Sequence, residues 1–209
     1  MTLSIQEVNR LKTAPVDAML PVLATRWSPR SFKDAPVSSA DLKTILEAAR
    51  WSASSSNEQP WRYFVGVKGS ETWDKVFACL VPFNQLWAKN AGVLLLGFAQ
   101  SKTQNGQPNK YALYDLGQAT ATLIIQAHAL GLFGHSMGGF DNEKAREIFG
   151  LSDEFALGAV IAIGYQDEPS ALTNETMLER EVASRTRKPL SEIALAALDV
   201  PVSLEHFPE

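Results

Sequence analysis

The segment from Lys110 to Leu130 constrains this chain more than any other. It is dense in Ala, Leu and Ile, with Asp115 and Gln118 among them, and it reads as one long helix stopped by Gly131. Its apolar residues nearly encircle the axis, so such a helix belongs at the centre of the fold or at a subunit interface. A bilayer span is not expected, because runs such as Ala91–Ala99 fall well short of the roughly 20 apolar residues that crossing requires. At 209 residues the chain is long enough to bury a sizeable core, and one domain over residues 1–209 is expected.

Charge narrows the classes of partner. A formal net charge of -4 argues against a dedicated nucleic-acid or anionic-membrane partner, so any anion site must be local. Cys79 is the only cysteine, which excludes an intramolecular disulfide, and neither Cys-x-x-Cys nor His-Glu-x-x-His occurs. Met1 to Val8 lacks the features of a secretory signal, so a cytoplasmic location is expected.

Periodicity supplies the remaining elements. Val16, Met19, Leu20 and Leu23 predict a first helix bent or ended near Pro21. Ser38 can cap a second, with Asp41 at its third position and Leu42, Ile45, Leu46 and Ala49 on one stripe. A polar loop from Ser52 to Pro60 precedes a strand at Trp61–Val67, and Trp73, Val76, Phe77 and Leu80 return to helical spacing. Ala91–Phe98 and Phe155–Ile163 read as buried strands. Ser101–Asn109 reads as a polar loop and His135–Asp141 as a turn, with Asp141 capping a helix from Asn142 to Phe149. A last helix covers Asn174–Ala183, before a basic turn at Arg185–Leu190. Few strands among many helices point to a mixed α+β fold.

Several segments could carry chemistry. Arg26, Ser28 and Arg30 alternate, so in an extended stretch their side chains share one face and form a comb of donors suited to a phosphate monoester. Arg185 and Arg187 repeat the spacing beside Lys188. Taken singly, they are better read as a solvated surface turn and as unrelated charged loops. Ser54, Ser55, Ser56, Asn57 and Gln59 could hydrogen-bond a polar heterocycle or form a plain loop. Gly138 and Gly139 would let a backbone approach a flat ring, with Ser136 and Met137 beside it, or else serve a tight turn. His135 has no metal-ligand spacing and reads as structural, and Cys79 lies on an apolar stripe as a buried thiol. No Gly-x-Gly and no Gly-x-Ser-x-Gly occurs, so the hard chemistry is better assigned to a bound cofactor.

In order, Arg26-x-Ser-x-Arg30-x-Phe32, Ser54-x-x-Asn57-x-Gln59-Pro60-Trp61, Gly138-Gly139-Phe140-Asp141 and Arg185-x-Arg187-Lys-Pro-Leu190 resemble the nitroreductase family of FMN flavoproteins, over nearly the whole chain. The Met-Gly-Gly-Phe-Asp form is similar to a subgroup whose substrates are poorly defined. The resemblance implies an α+β fold with a central, mostly antiparallel sheet flanked by helices, assembled as an intertwined homodimer with FMN at the subunit interface. It implies that Arg26, Trp27, Ser28 and Arg30 hold the phosphate and ribityl side together with Arg185 and Arg187. Ala53, Ser54 and Ser55 would border the ring from the second subunit, Asn84 would approach its pyrimidine edge, and Ser136, Met137, Gly138 and Gly139 would lie along it.

Two departures stand out: Gly138 where many relatives carry a glutamate, and Ala53 where many carry a proline. The implied activity is hydride transfer from NADH or NADPH through FMN to nitroaromatics, quinones or related small-molecule acceptors, by a ping-pong mechanism without a protein acid–base pair. Reductive dehalogenation or flavin fragmentation on the same scaffold, and a non-catalytic flavin-binding redox sensor, are the alternatives.

Overall fold

The computed structural model describes residues 3–203, so residues 1–2 and 204–209 lie outside it, and with them the first positions of the segment screened for a leader. A capping box opens the chain: Ser4 Oγ accepts from the Glu7 N–H, and Glu7 accepts from the Ser4 N–H at 2.8 Å, starting α1 (Ile5–Lys12). This corrects the expected first helix. Residues 13–20 are irregular, and Pro21 begins α2 (Pro21–Thr25) rather than ending a helix, because a fixed φ and a missing N–H suit the first helical position. Val16, Met19, Leu20 and Leu23 are exposed, so their spacing did not report burial.

Helix α3 (Ser39–Arg50) is capped by Ser38 and buries Leu42, Ile45 and Ala49. Then come β1 (Trp61–Val67), α4 (Glu71–Cys79), and α5 (Pro82–Ala88), a short helix with no apolar period of its own. Strand β2 (Val93–Gln100) leads to α6 (Ala112–Ala129), and β3 (Phe133–Met137) to α7 (Asn142–Phe149), which Asp141 caps and Gly150 closes at φ 63°. Strand β4 (Phe155–Gly164) and α8 (Glu175–Val182), capped by Asn174, complete the body. A hairpin of β5 (Leu195–Ala197) and β6 (Val200–Pro201) follows, with Leu195, Leu198 and Val200 exposed.

The main sheet has the order β1-β2-β4-β3, and every neighbouring pair is antiparallel. Both faces are covered, which explains the unbroken apolar run of β2. Leu94 and Leu96 face a core with Trp73, Val76 and Trp87, whereas Val93 and Leu95 face one built with Ile45 of α3 and Leu116, Ala119 and Leu123 of α6. The opposite side of α6 leaves Leu113 and Tyr114 exposed. The architecture is therefore α+β, as expected. The supposed turn at His135–Asp141 is corrected: His135, Ser136 and Met137 pair with Ala162, Ile161 and Val160, and the turn starts at Gly138. A short edge strand containing polar residues lacks the apolar alternation that marks strands from sequence.

Candidate flavin cleft

Past α2 the backbone turns extended at Arg26 (φ −63°, ψ 127°), and burial alternates through residues 26–30. Trp27 and Pro29 are buried, while Arg26, Ser28 and Arg30 are half-buried. Trp27 anchors the comb: its Nε1 donates to Asn9 Oδ1 at 2.8 Å, and the Lys12 ammonium lies 4.9 Å from its ring centroid. Trp27 can therefore touch a ligand only through its backbone. Pro29 O accepts from His135 Nδ1 at 2.9 Å, and burial pushes the His135 pKa down to about 4 despite that bond. The ring is thus neutral, with its proton on Nδ1, a structural role.

Arg26 and Ser28 line a cleft of about 700 Å³ with Ser136 of β3, Gly158 of β4 and the outer side of α6. Arg30 lines a second pocket of about 410 Å³ with Trp87, Lys89 and Asn174. The comb is therefore divided between two spaces. Arg185 and Arg187 arrive beside it: burial, then Arg187, pulls the Arg26 pKa below its usual range, and Arg185 is lowered by burial, then by Arg187 and Arg26. Among the described residues none of these three guanidiniums forms a salt bridge. Arg185 donates to Arg26 O and Ala24 O at 2.5 and 2.8 Å, so its fork grips backbone, while the exposed Arg187 donates to its neighbour Thr186 O.

A second group gathers around Gly139. Asn84 Nδ2 donates to Gly139 O at 2.9 Å, and the Val81 N–H donates to the same oxygen at 3.2 Å. A Cβ on Gly139 would lie 2.8 Å from Asn84 Nδ2, so any larger residue there must displace the Asn84 amide. At Gly138 a Cβ would meet nothing within 4 Å, so packing within the chain does not explain that residue. Met137 points into the core and Ser136 outward, as strand alternation requires.

The third group lies elsewhere. The Ser55 N–H donates to Asp115 Oδ2 at 3.2 Å, and Ser54 Oγ accepts from the Gln59 N–H at 3.0 Å. Ala53 is exposed beside them, and Ser56, Asn57 and Gln59 take positive φ values. Asp115 is in the first turn of α6, whereas His128, in its last turn, contacts Thr25 Oγ1 at 2.8 Å next to the comb. Thirteen residues at about 1.5 Å rise separate the two ends by roughly 20 Å. One chain keeps the Ser54 loop and the comb apart.

Sequence reasoning missed Glu181 and Lys12, both buried beside the comb. A signal existed in each case: Glu181 follows Met177, and Lys12 follows Val8, at the i, i+4 spacing of a buried stripe. Among the described residues no helix is long and apolar enough to cross a membrane, and no cluster of metal-ligating side chains occurs.

Comparison with known proteins bears on this arrangement. The nitroreductase family profile matches residues 23–78 and 76–165, which include the comb, the Ser54 loop, Asn84 and the Gly138 turn but not Arg185 or Arg187. A Thermus thermophilus protein named NADH dehydrogenase is 29% identical over 208 residues, covering 81% of this chain and 100% of that protein. A solved structure described as an oxidoreductase containing FMN is 37% identical with a TM-score of 0.81, covering 88% of this chain and 94% of the other. An FMN-dependent nitroreductase from Clostridium difficile R20291 is 24% identical with a TM-score of 0.62, covering 81% of this chain and 100% of the other, a likeness that speaks to the fold alone.

Proposed function

The chain belongs to the nitroreductase family, and on that footing we propose that its cleft holds FMN and serves hydride transfer from NADH or NADPH to nitroaromatics, quinones or related acceptors. At the coarser level it is an FMN-dependent, NAD(P)H-using oxidoreductase. The observation that carries the reading is the group of Arg26, Arg185 and Arg187, whose like charges are held together without a carboxylate partner among the described residues. A phosphate dianion would offset that repulsion, and about 700 Å³ lies in the range of cofactor clefts. The donor set fits FMN.

In this assignment Arg26, Arg187 and Ser28 bind the phosphate, with Arg185 and Trp27 fixing the backbone that presents them. Arg30, from its own pocket, serves the ribityl and pyrimidine side with Asn84. Ser136 and the backbone of Met137, Gly138 and Gly139 run along the ring, where the absent Gly138 side chain leaves room. When bound, FMN supplies a centre that accepts hydride from the nicotinamide and returns it to the oxidised substrate. Leu113, Leu116, Ile124 and Leu157 give the cleft an apolar wall that excludes water. No Asp, Glu, His, Lys or Tyr of the same chain lines it among the described residues, and His135 is tied to Pro29 O. One cleft for donor and acceptor makes them take turns, which is the origin of ping-pong kinetics.

The separation of the Ser54 loop from the comb supports a homodimer. Two copies packed with their α6 helices antiparallel would bring the Asp115 end of one to the His128 end of the other, so that Ala53, Ser54 and Ser55 of the partner subunit close the ring site. The exposed Leu113 and Tyr114, and the apolar C-terminal hairpin, would be covered by the same assembly.

Two measurements test the reading. Purified protein is expected to show flavin absorption that NADH or NADPH bleaches; a colourless protein that takes up no added FMN refutes it. Initial rates at several donor concentrations should give parallel double-reciprocal lines, and intersecting lines rule out the shared cleft.

A further inference from the structure

Residues 26–30 lie in no strand, so no ladder of hydrogen bonds dictates where Arg26 and Ser28 project. Besides the bond from His135 Nδ1 to Pro29 O in the middle, the two ends of this stretch are tied to one short C-terminal segment. Glu181 of α8 is fully buried, and its carboxylate accepts from the Arg30 N–H at 2.9 and 3.1 Å and from the Ser31 N–H at 3.2 Å. Four residues later, Arg185 donates to the carbonyls at the other end of the comb. One end is thus gripped by an ionic acceptor and the other by an ionic donor, bonds roughly twice as strong as neutral ones.

A carboxylate in this place needs a reason. Met177, one turn earlier on the same stripe, fills the core without any charge. Burial pushes the Glu181 pKa up, opposed by its two backbone N–H donors and by the nearby Arg30 and Lys12 charges. Its gain lies in satisfying two amide groups that would otherwise be orphaned beside the pocket that Arg30 and Ser31 line.

We propose that Glu181 is a positioning residue for the cofactor phosphate, acting through the Arg30 and Ser31 backbone to set the direction of Arg26 and Ser28. The inference rests on the FMN reading above and adds to it a residue that touches no ligand. It has a sign that a direct electrostatic effect lacks. Coulomb's law alone says that removing a negative charge near an anion site tightens anion binding, whereas loosening the comb weakens it.

The test is fluorescence titration of the full chain with FMN and with riboflavin, which lacks the phosphate, for the wild type, Glu181→Gln and Glu181→Ala. The expected result is an FMN Kd raised about tenfold by Glu181→Ala and less by Glu181→Gln, which keeps one acceptor oxygen, while the riboflavin Kd stays within about twofold. If Glu181→Ala does not fold, Glu181→Asp, whose shorter reach can serve only one of the two amides, takes its place with the same expectation. Tighter FMN binding, or equal shifts for both flavins in folded variants, overturns the proposal while leaving the FMN reading intact. Wild-type protein that binds no FMN overturns both.

Discussion

Replacing Arg26 with alanine isolates the phosphate's share of cofactor binding. The side chain is half-buried in the cleft wall, and the backbone carbonyl gripped by Arg185 survives the substitution. Unit charges about 4 Å apart at an effective dielectric near 20 attract by about 4 kcal/mol, part of which offsets desolvation of the two groups. Charged hydrogen bonds net roughly 1.5–3 kcal/mol by mutation, so a loss of about 2–3 kcal/mol is expected, a rise of roughly 30- to 150-fold in the FMN Kd. Arg187 is exposed and screened by solvent, so Arg187→Ala should cost less, a few-fold. Riboflavin affinity should barely move in either variant. Flavin-free Arg26→Ala should melt no lower than wild type, because its loss relieves the repulsion from Arg187. Fluorescence titration with both flavins and thermal melts read all of this. Equal losses for FMN and riboflavin, or a larger effect at Arg187 than at Arg26, would refute the assignment.

Gly138→Ala should leave the melting temperature of the flavin-free protein nearly unchanged, since its Cβ meets nothing, yet slow flavin reduction by NADH or NADPH in stopped flow; an unaltered rate removes Gly138 from the ring site. His135 has its folded pKa depressed from 6.5 to about 4, so between those values the unfolded chain binds the extra proton and stability rises with pH. The contribution is complete above about pH 6.5 and lost as pH falls toward 4, with a ceiling of about 3 kcal/mol that partial solvent contact of the ring reduces. Melts of His135→Gln across this range should be flatter than wild type, and parallel curves would contradict the account. Gly117→Leu places a large side chain on the open side of α6, where a Cβ meets nothing in its own chain. It should convert a dimer to a folded monomer by sedimentation, and an intact dimer would sink the antiparallel α6 packing.

Elements whose signal is local were legible in the sequence. Strand β1 spans Trp61–Val67 as its alternation indicates, α3 begins at its Ser38 cap, and α6 shows its apolar circumference directly. Backbone alternation also expects Arg26, Ser28 and Arg30 on one side of an extended stretch, and all three are half-buried, with Arg26 and Ser28 in one cleft and Arg30 in another. Edge strand β3 was hidden by its polar His135 and Ser136, and α1 by the lure of exposed apolar residues beyond it.

Long-range hydrogen bonds decided the rest. Arg185 reaches back about 160 positions to two carbonyls, and Glu181 about 150 to two amides, so neither partner is implied by any local pattern. The sequence by itself determined which donors this protein owns and that they alternate. Only the tertiary structure decided that Arg26 and Arg30 open into different spaces, that Arg185 holds backbone, and that the Ser54 loop meets α6 at Asp115, roughly 20 Å along the helix from His128. The reason is physical: spacing along a chain orients side chains over a few residues, whereas what they meet depends on which distant segments pack against them.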